Sequence, residues 1–426
     1  MKHLIKIGDL AAIVVFGVSP AIAADAASPQ ATTLSEAISE GKSLTNFRLR
    51  YEYVDQDGKT ENANAWTLRS LIGWQTKPFH DVSVAAQVIG VSPLNNEYND
   101  SNKGVSEPGK GNYPVVLDPE NYGINQLLIE WSGIPKTKVR LGRQSVKLDN
   151  VRFVGNVEFR QVMQVYDGVA VENKSLPNTD IYLAHFGRVK QINTLLRDGN
   201  FELANIKYKF TPTESLAGYA YFVDWDSAQL AATSPATSNK TFGLRLNGDR
   251  KLNEKWKVLY TAEYAKQDNY KDGNSNIDNY YYLVGAGAGY GNWYARLDQE
   301  LLSGNSKGKA FQTQLGTNHL FQGWTDLFLT TPNEGIQDTF ITAGGKLMKI
   351  DLKAEYHWIN SDRDFAKVGG GTSNQYGKEF DVSAAYSYNK QLSGKVEYAN
   401  FKEVAQYNGA RKRDTEKLWL SVMYAF

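Results

Sequence analysis

The sequence predicts an all-β fold, a transmembrane antiparallel up-and-down β-barrel of eighteen strands, and three observations predict it. Residues 1–23 have the layout of a secretory signal peptide. From Asn46 to the end, apolar and polar residues alternate with period two, and nothing after residue 24 approaches the roughly 20 apolar residues of a transmembrane helix. The last segment, Leu418, Leu420, Val422, Tyr424 and Phe426, alternates up to the carboxylate.

The N-terminal segment carries Lys2 and Lys6, an apolar stretch from Leu10 to Val18, and Ser19-Pro20-Ala21-Ile22-Ala23 as a small-x-small cleavage site, with cutting expected after Ala23. Gly17 and Pro20 break the stretch too early for a mature membrane helix. Residues 24–45 then read as a periplasmic N-terminal tail in which Leu34 to Glu40 can form a helical turn or two, and residues 46–426 as the barrel.

Eighteen alternating segments begin near residues 46, 65, 80, 122, 136, 163, 178, 201, 215, 240, 255, 278, 292, 338, 349, 378, 392 and 415. Their length matches the 9–11 residues that a tilted strand needs to cross the hydrocarbon. Tight turns at 77–79, 133–135, 174–177, 211–214, 252–254, 291, 348 and 389–391 alternate strictly with longer polar loops, the longest being 92–121 and 303–337. Both termini then fall on the short-turn, periplasmic side of a bacterial outer-membrane barrel. Terminal Phe426 resembles the signal read by the barrel assembly machinery, so that machinery and outer-membrane lipid are the expected partners. A β-sandwich, the soluble rival, would not sort its loops by length.

Composition agrees. A mean hydropathy of -0.46 is too polar for a helical bundle in lipid, and the absence of Cys suits an oxidising compartment. Lys plus Arg (47) nearly cancels Asp plus Glu (46), which gives no general attraction to nucleic acid. Aromatics at strand ends, Trp66, Trp74, Trp131, Trp225, Tyr280, Tyr282, Tyr290, Trp293, Trp358, Tyr388 and Tyr424, read as two interfacial girdles.

If the apolar parity faces lipid, the other parity lines a lumen wide enough for water. In the first half that parity is basic, with Arg48, Arg50, Arg69, Arg140, Lys207, Lys209 and Arg245. From residue 255 it is acidic on balance, with Asp298, Glu300, Asp351 and Glu355 against Arg296. Segregation along the chain becomes segregation around the wall, and so a transverse field. The segment 146–162 combines Phe153 and Phe159 with paired charges, a composition suited to folding inward as a constriction. Arg152 and Arg160 are expected there, with Asp149 and Glu158 as their partners.

Two blocks carry a family resemblance. The first runs Arg140-Leu141-Gly142-Arg143-Gln144, Leu148-Asp149-Asn150-Val151-Arg152-Phe153-Val154-Gly155-Asn156, Arg160-Gln161 and Gln164-Val165-Tyr166-Asp167. The second is Phe321-Gln322-Gly323-Trp324-Thr325-Asp326-Leu327-Phe328, followed by Thr331-Pro332 and Gly335-Ile336-Gln337-Asp338. With the strand layout, these resemble the alginate-export family of outer-membrane channels. The resemblance implies a monomeric eighteen-stranded barrel whose arginine-rich constriction conducts an anionic polysaccharide or other small anions. Against a polyuronate, the acidic second wall is a departure. The expected function is therefore a porin for small hydrophilic, including anionic, solutes, with polysaccharide export as the alternative.

A hydrolase is the remote alternative, since only His319 near Asp326 has even the outline of a catalytic pair. Gly285 to Gly289 lacks the Lys and helix of a phosphate loop and reads as small residues permitting close contact within a strand. No stretch has calcium-loop spacing, so neither a metal nor a cofactor is expected.

Overall fold

The computed structural model describes residues 30–227, 233–407 and 413–426, and the expected signal peptide with its cleavage after Ala23 lies outside the described residues. Eighteen long strands close into one antiparallel barrel. They are β1 (Asn46–Gln56), β2 (Ala63–Gln75), β3 (Val82–Pro93), β4 (Asn121–Trp131), β5 (Thr137–Gln144) and β6 (Val165–Asn173). Next come β7 (Thr179–Lys190), β8 (Leu196–Thr211), β9 (Glu214–Trp225), β10 (Asn239–Lys251), β11 (Trp256–Asn269) and β12 (Asp278–Tyr290). The last are β13 (Trp293–Ser303), β14 (Gly335–Leu347), β15 (Ile350–Ala366), β16 (Thr372–Ser387), β17 (Leu392–Glu403) and β18 (Thr415–Ala425). Each strand pairs with its sequence neighbours, and β18 pairs with β1 from Thr415↔Gln56 to Ala425↔Asn46, so no edge is left to be satisfied in lipid. Loops 94–120 and 304–334 add no hairpin, only single 3₁₀ turns at Asn102–Gly104 and Asn318–Leu320.

The side-chain alternation is inverted relative to a soluble protein. Leu49, Ile72, Val88, Ile129, Leu141, Leu244, Leu297 and Val422 stand exposed on the outer surface, whereas Arg50, Glu52, Arg69, Glu300 and Asp381 are buried on the inner one. An outer face of this kind is stable only against hydrocarbon. Trp66, Trp74, Trp131, Tyr280, Tyr290, Trp293, Tyr388 and Tyr424 rim that face as exposed rings. Trp225 departs from the expected girdle: it is fully buried and packs edge-on against Phe201 at 4.8 Å. It closes β9 at the loop end of the barrel, where the inner wall is apolar.

The expected strict alternation of short and long connections holds only in part. At the end opposite the termini, connections 57–62, 191–195 and 367–371 are as short as the periplasmic turns. There the chain extends its strands instead, β15 to 17 residues and β16 to 16, so height above the membrane comes from sheet rather than loop.

A short helix, α1 (Leu34–Ser39), precedes the barrel; Thr33 caps it by accepting from Glu36 N, and the Glu36 carboxylate accepts in return from Thr32 N. Lys77 in the first periplasmic turn reaches Glu36 at 2.7 Å and Glu40 at 2.8 Å. Those bonds, with Thr32, hold the Glu36 carboxyl down at about 2. Trp74 Nε1 donates to Ile38 O at 2.8 Å, which seats the tail on the short-turn rim of the barrel.

Candidate functional site

The inner surface is organised by two loops that fold into the barrel and by the strands that receive them. The loop 145–164, between β5 and β6, turns inward as its composition suggests. Loop 304–334, between β13 and β14, turns inward as well, which the alternation of strands did not indicate. The two loops run side by side: Val154 and Leu315 form a parallel bridge, Gly155 N donates to Leu315 O at 2.8 Å, and Thr317 N donates to Val151 O at 2.9 Å. Their approach requires glycine, because a Cβ on Gly155 would lie 2.2 Å from Thr317 Oγ1 and one on Gly316 would lie 2.2 Å from Arg152 O. Gln164 Nε2 and Tyr166 Oη each donate to the Gly155 and Leu315 carbonyls, so a buried amide and phenol stitch the paired loops to β6.

Phe153 anchors the loop pair in an apolar nest: its ring centroid is 5.2 Å from Tyr219, 5.1 Å from Tyr281 and 5.9 Å from Phe311. Burial of such aromatics contributes roughly 1.5–3 kcal/mol each. Gly142, in the block that carries the family resemblance, takes φ +125, and a Cβ there would lie 2.3 Å from Leu127 O. Only glycine lets β5 lie this close to β4.

The arginines of the constriction do not take the partners expected of them. Arg152 lies 2.9 Å from Glu300 of β13 and donates to Gln322 Oε1 at 3.0 Å, with its guanidinium over the Phe321 ring. Arg160 bridges Glu52 of β1 at 2.8 Å and Asp326 of the second loop at 2.6 Å. Asp149 instead sits 2.7 Å from Lys207, and Glu158 sits 2.7 Å from Lys147. Neighbours in sequence were outcompeted by carboxylates on facing elements, since a loop lying against the wall presents its side chains to the wall.

The strand residues expected to line the channel all lie on the inward parity, but the walls of opposite sign do not survive as such. Arg50 pairs with Glu52 (2.9 Å), Arg140 with Glu130 (2.7 Å) and Glu172 (2.5 Å), and Lys209 with Asp180 (2.6 Å). Arg245 pairs with Glu263 (2.5 Å), Arg296 with Asp298 (2.5 Å), Lys353 with Glu355 (2.7 Å), and Lys346 approaches Asp351 at 3.7 Å. The missing sign comes from cross-strand neighbours or, for Arg50, Arg296 and Lys353, from the residue two positions along the same strand. Closure also sets basic β1 beside β18, with only β18 and β17 between it and acidic β16. Arg48 and Arg69 are the exceptions: both are buried and among the described residues neither has a carboxylate within ion-pair distance. Arg48 instead donates to the carbonyls of Glu158 (3.0 Å), Phe159 (3.1 Å) and Arg160 (2.6 Å), so β1 clamps the backbone of the constriction loop. Arg50 donates to Phe159 O as well.

His319, the one residue with a catalytic outline, does sit with Asp326, Nδ1 to Oδ1 at 2.7 Å. Its ring stacks on Phe159 at 3.3 Å and meets Trp419 edge-on at 5.7 Å. Burial pushes the imidazole below its ordinary value against the pull of Asp326. For Asp326, burial acts upward, but Lys417, His319 and Arg160 together hold it far below the carboxylate range. The pair therefore works as a joint between loop 304–334, the constriction loop and β18. The glycines of 285–289 have a lumen role too. Gly285, Gly287 and Gly289 face inward, and a Cβ on each would run into Asp298, the Ala295 backbone or the Lys257 stem. They make room for charged side chains.

Sequence reasoning gave no role to Asp118 or to Gln322, the latter named only within the second block of the family resemblance; both are buried. Asp118 accepts from Gln161 N at 2.8 Å, and Gln322 donates to Glu300. They lie in aperiodic loops, so spacing carried no signal for either.

An outer-membrane β-barrel whose lumen is crossed by inward-folded, ion-paired loops is the class that this geometry defines. The chain belongs to the alginate export family, which matches residues 94–319, more than half its length, with the whole of loop 145–164 and the first part of loop 304–334. Among solved structures, Pseudomonas aeruginosa OpdL matches with TM-score 0.66 at 14% identity over 91% of this chain and 98% of that one. P. aeruginosa OpdK, solved with vanillate, matches with TM-score 0.66 at 14% identity over 89% and 97%. P. aeruginosa OpdQ does so with TM-score 0.66 at 16% over 92% and 99%. No curated protein matches the chain. The protein is placed in the bacterial outer membrane.

Proposed function

We propose that the protein is a porin, not an enzyme, that lets small hydrophilic solutes, anions among them, diffuse passively through a charged lumen narrowed by loops 145–164 and 304–334. The observation that carries this reading is the pairing of those loops inside the barrel around Arg152 and Arg160. They restrict the cross-section to small solutes, and ion pairs compensate most of the charge that a polyanion would need. Arg48 and Arg69, without carboxylate partners, leave the narrow region with positive potential. The residues assigned to the channel wall are Arg140, Lys207, Lys209, Arg245, Arg296, Asp298, Asp351 and Glu355, all on the inward parity of their strands. The barrel works as a monomer in outer-membrane lipid, delivered by a signal peptide at residues 1–23 and inserted by the barrel assembly machinery through its terminal strand.

Family membership favours a second reading, outward passage of an anionic polysaccharide. Reversal potentials in planar bilayers separate the two. A modest preference for Cl- over K+ with measurable passage of a monomeric uronate supports the porin. Strong anion selectivity with block by oligouronates supports the exporter, and a folded protein that never conducts defeats both.

A further inference from the structure

Three neighbouring strands, β14, β15 and β16, bring Asp338, Glu355, His357, Glu379 and Asp381 together on their inner faces, all at or below 6% exposure. Glu355 and Asp381 are direct cross-strand partners, and so are His357 and Glu379. Four carboxylates thus share a buried patch with one ammonium, Lys353, and one imidazole. Like charges directly opposite in a sheet repel, and buried charges require compensation. Glu379 is served by Thr325 N at 2.7 Å and Thr325 Oγ1 at 2.6 Å. Asp381 is not: it accepts only a 3.3 Å bond from Trp324 N, and its Oδ1 has no hydrogen-bond partner.

His357 is arranged differently from a histidine that serves packing alone. Its Nδ1 lies 2.8 Å from Asp338 Oδ2 and its ring stacks on Phe340. With the proton on Nδ1 directed at Asp338, the Nε2 lone pair points into the patch, 3.4 Å from Asp381 Oδ2 and without a hydrogen-bond partner. A carboxylate that orients a histidine through one ring nitrogen while the other faces further carboxylates is the arrangement of metal-ligating imidazoles.

We propose that Glu355, His357 and Asp381 form a binding site for a divalent first-row cation of the zinc class, with Asp338 as the residue that positions the imidazole. Their donor atoms lie within 4.8 Å of one another. A tetrahedral Zn2+ with bonds of about 2.0–2.2 Å holds its donors about 3.4 Å apart, so the closing movement is of the order of 1 Å per side chain. One imidazole nitrogen with two carboxylates suits zinc; calcium and magnesium take oxygen alone. Lys353 holds Glu355 at 2.7 Å with its ammonium over the Trp324 ring, and its flexible stem, 36% exposed, lets it swing into the lumen when a cation takes over the compensation. Glu355 and His357, like Glu379 and Asp381, are two residues apart on one strand, so the site follows sheet periodicity and leaves no linear metal motif. Because Trp324 and Thr325 bond Asp381 and Glu379, an occupied site also fixes loop 304–334 to the wall.

The test uses the full-length folded protein in detergent, stripped with chelator and titrated with Co2+ and then Zn2+ at neutral pH. One equivalent of Co2+ with visible ligand-field absorption, displaced by one equivalent of Zn2+, is expected. Affinity should fall at least tenfold in His357→Gln and in Asp381→Asn, and should be unchanged in His80→Gln, whose imidazole sits in a periplasmic turn. Heat-modifiable gel migration reports folding of each variant. Should Asp381→Asn not fold, X-ray absorption at the zinc edge of the wild-type complex decides: one imidazole among light-atom ligands supports the site, and none overturns it. Absence of stoichiometric binding, as expected if a shared proton between Glu379 and Asp381 does the compensating, overturns it too, and so does wild-type affinity in His357→Gln.

Discussion

Arg152 shows how a single side chain can hold the interior together. It is 1% exposed, faces an equally buried Glu300, and reaches Gln322 on the neighbouring loop. Truncating one partner of a buried pair strands the other and costs about 3–5 kcal/mol, whereas replacing both by apolar residues of similar size is close to neutral. Arg152→Ala is accordingly expected to lower the urea midpoint of the folded barrel, and Arg152→Met with Glu300→Leu to recover most of the loss; equal destabilisation in both would refute the assignment. His319 gives a pH signature. An unfolded chain takes up a proton as pH falls through 6.5, but the buried ring, held below that value, does not, so its contribution to stability shrinks below pH 6.5. Asp326 acts in the same direction at lower pH: its contribution begins to fall as pH drops through the ordinary carboxylate value, where the unfolded chain protonates first. Comparing the pH dependence of unfolding in wild type and His319→Gln isolates the first effect, and the slope just below pH 6.5 should flatten in the variant.

On the proposed porin reading, selectivity turns on the paired inward loops. Their contact rests on backbone hydrogen bonds and on glycines with no room for a Cβ. Gly316→Val would push its side chain into the Arg152 carbonyl and part the loops, so single-channel conductance should rise and current noise increase while the barrel stays folded. Deletion of residues 147–161 should raise conductance further. Unchanged conductance in the deletion would mean that current bypasses the constriction. Strands β15 and β16 make a second point about elements: their length, not a long loop, raises the wall at the end opposite the termini.

For the molecule as a whole, closure between β18 and β1 is the decisive contact. Phe426 N donates to Thr45 O at 3.0 Å, and the Phe426 ring meets Tyr424 at 4.9 Å and Phe47 at 6.0 Å, so the terminal residue sits at the seam. Removal of Phe426 is expected to lower the heat-modifiable, membrane-inserted fraction in cells while a purified chain still refolds in detergent. Equal insertion would show that the terminal aromatic is not read during assembly.

The strands were legible because a barrel wall forces a two-residue period on every strand: lipid on one side and water on the other leave no freedom in which residues alternate. Thus the starts read near 46, 278, 392 and 415 coincide with those of β1, β12, β17 and β18, and the inward parity of Arg48, Glu300 and Glu355 followed directly. The inward folding of loop 145–164 was legible for a related reason, since Phe153 and Phe159 are out of place in open water. Pairing was not legible. Arg152 and Arg160 find Glu300, Glu52 and Asp326 because loops 145–164 and 304–334 meet across the lumen, and separations of more than a hundred residues leave no periodic trace. The same holds for Trp225, whose strand-end position does not reveal that the wall there is packed from inside. By itself the sequence determined the barrel and its face polarity; tertiary closure alone decided which charges compensate one another, because electrostatic partnership depends on distance in space and not on spacing along the chain.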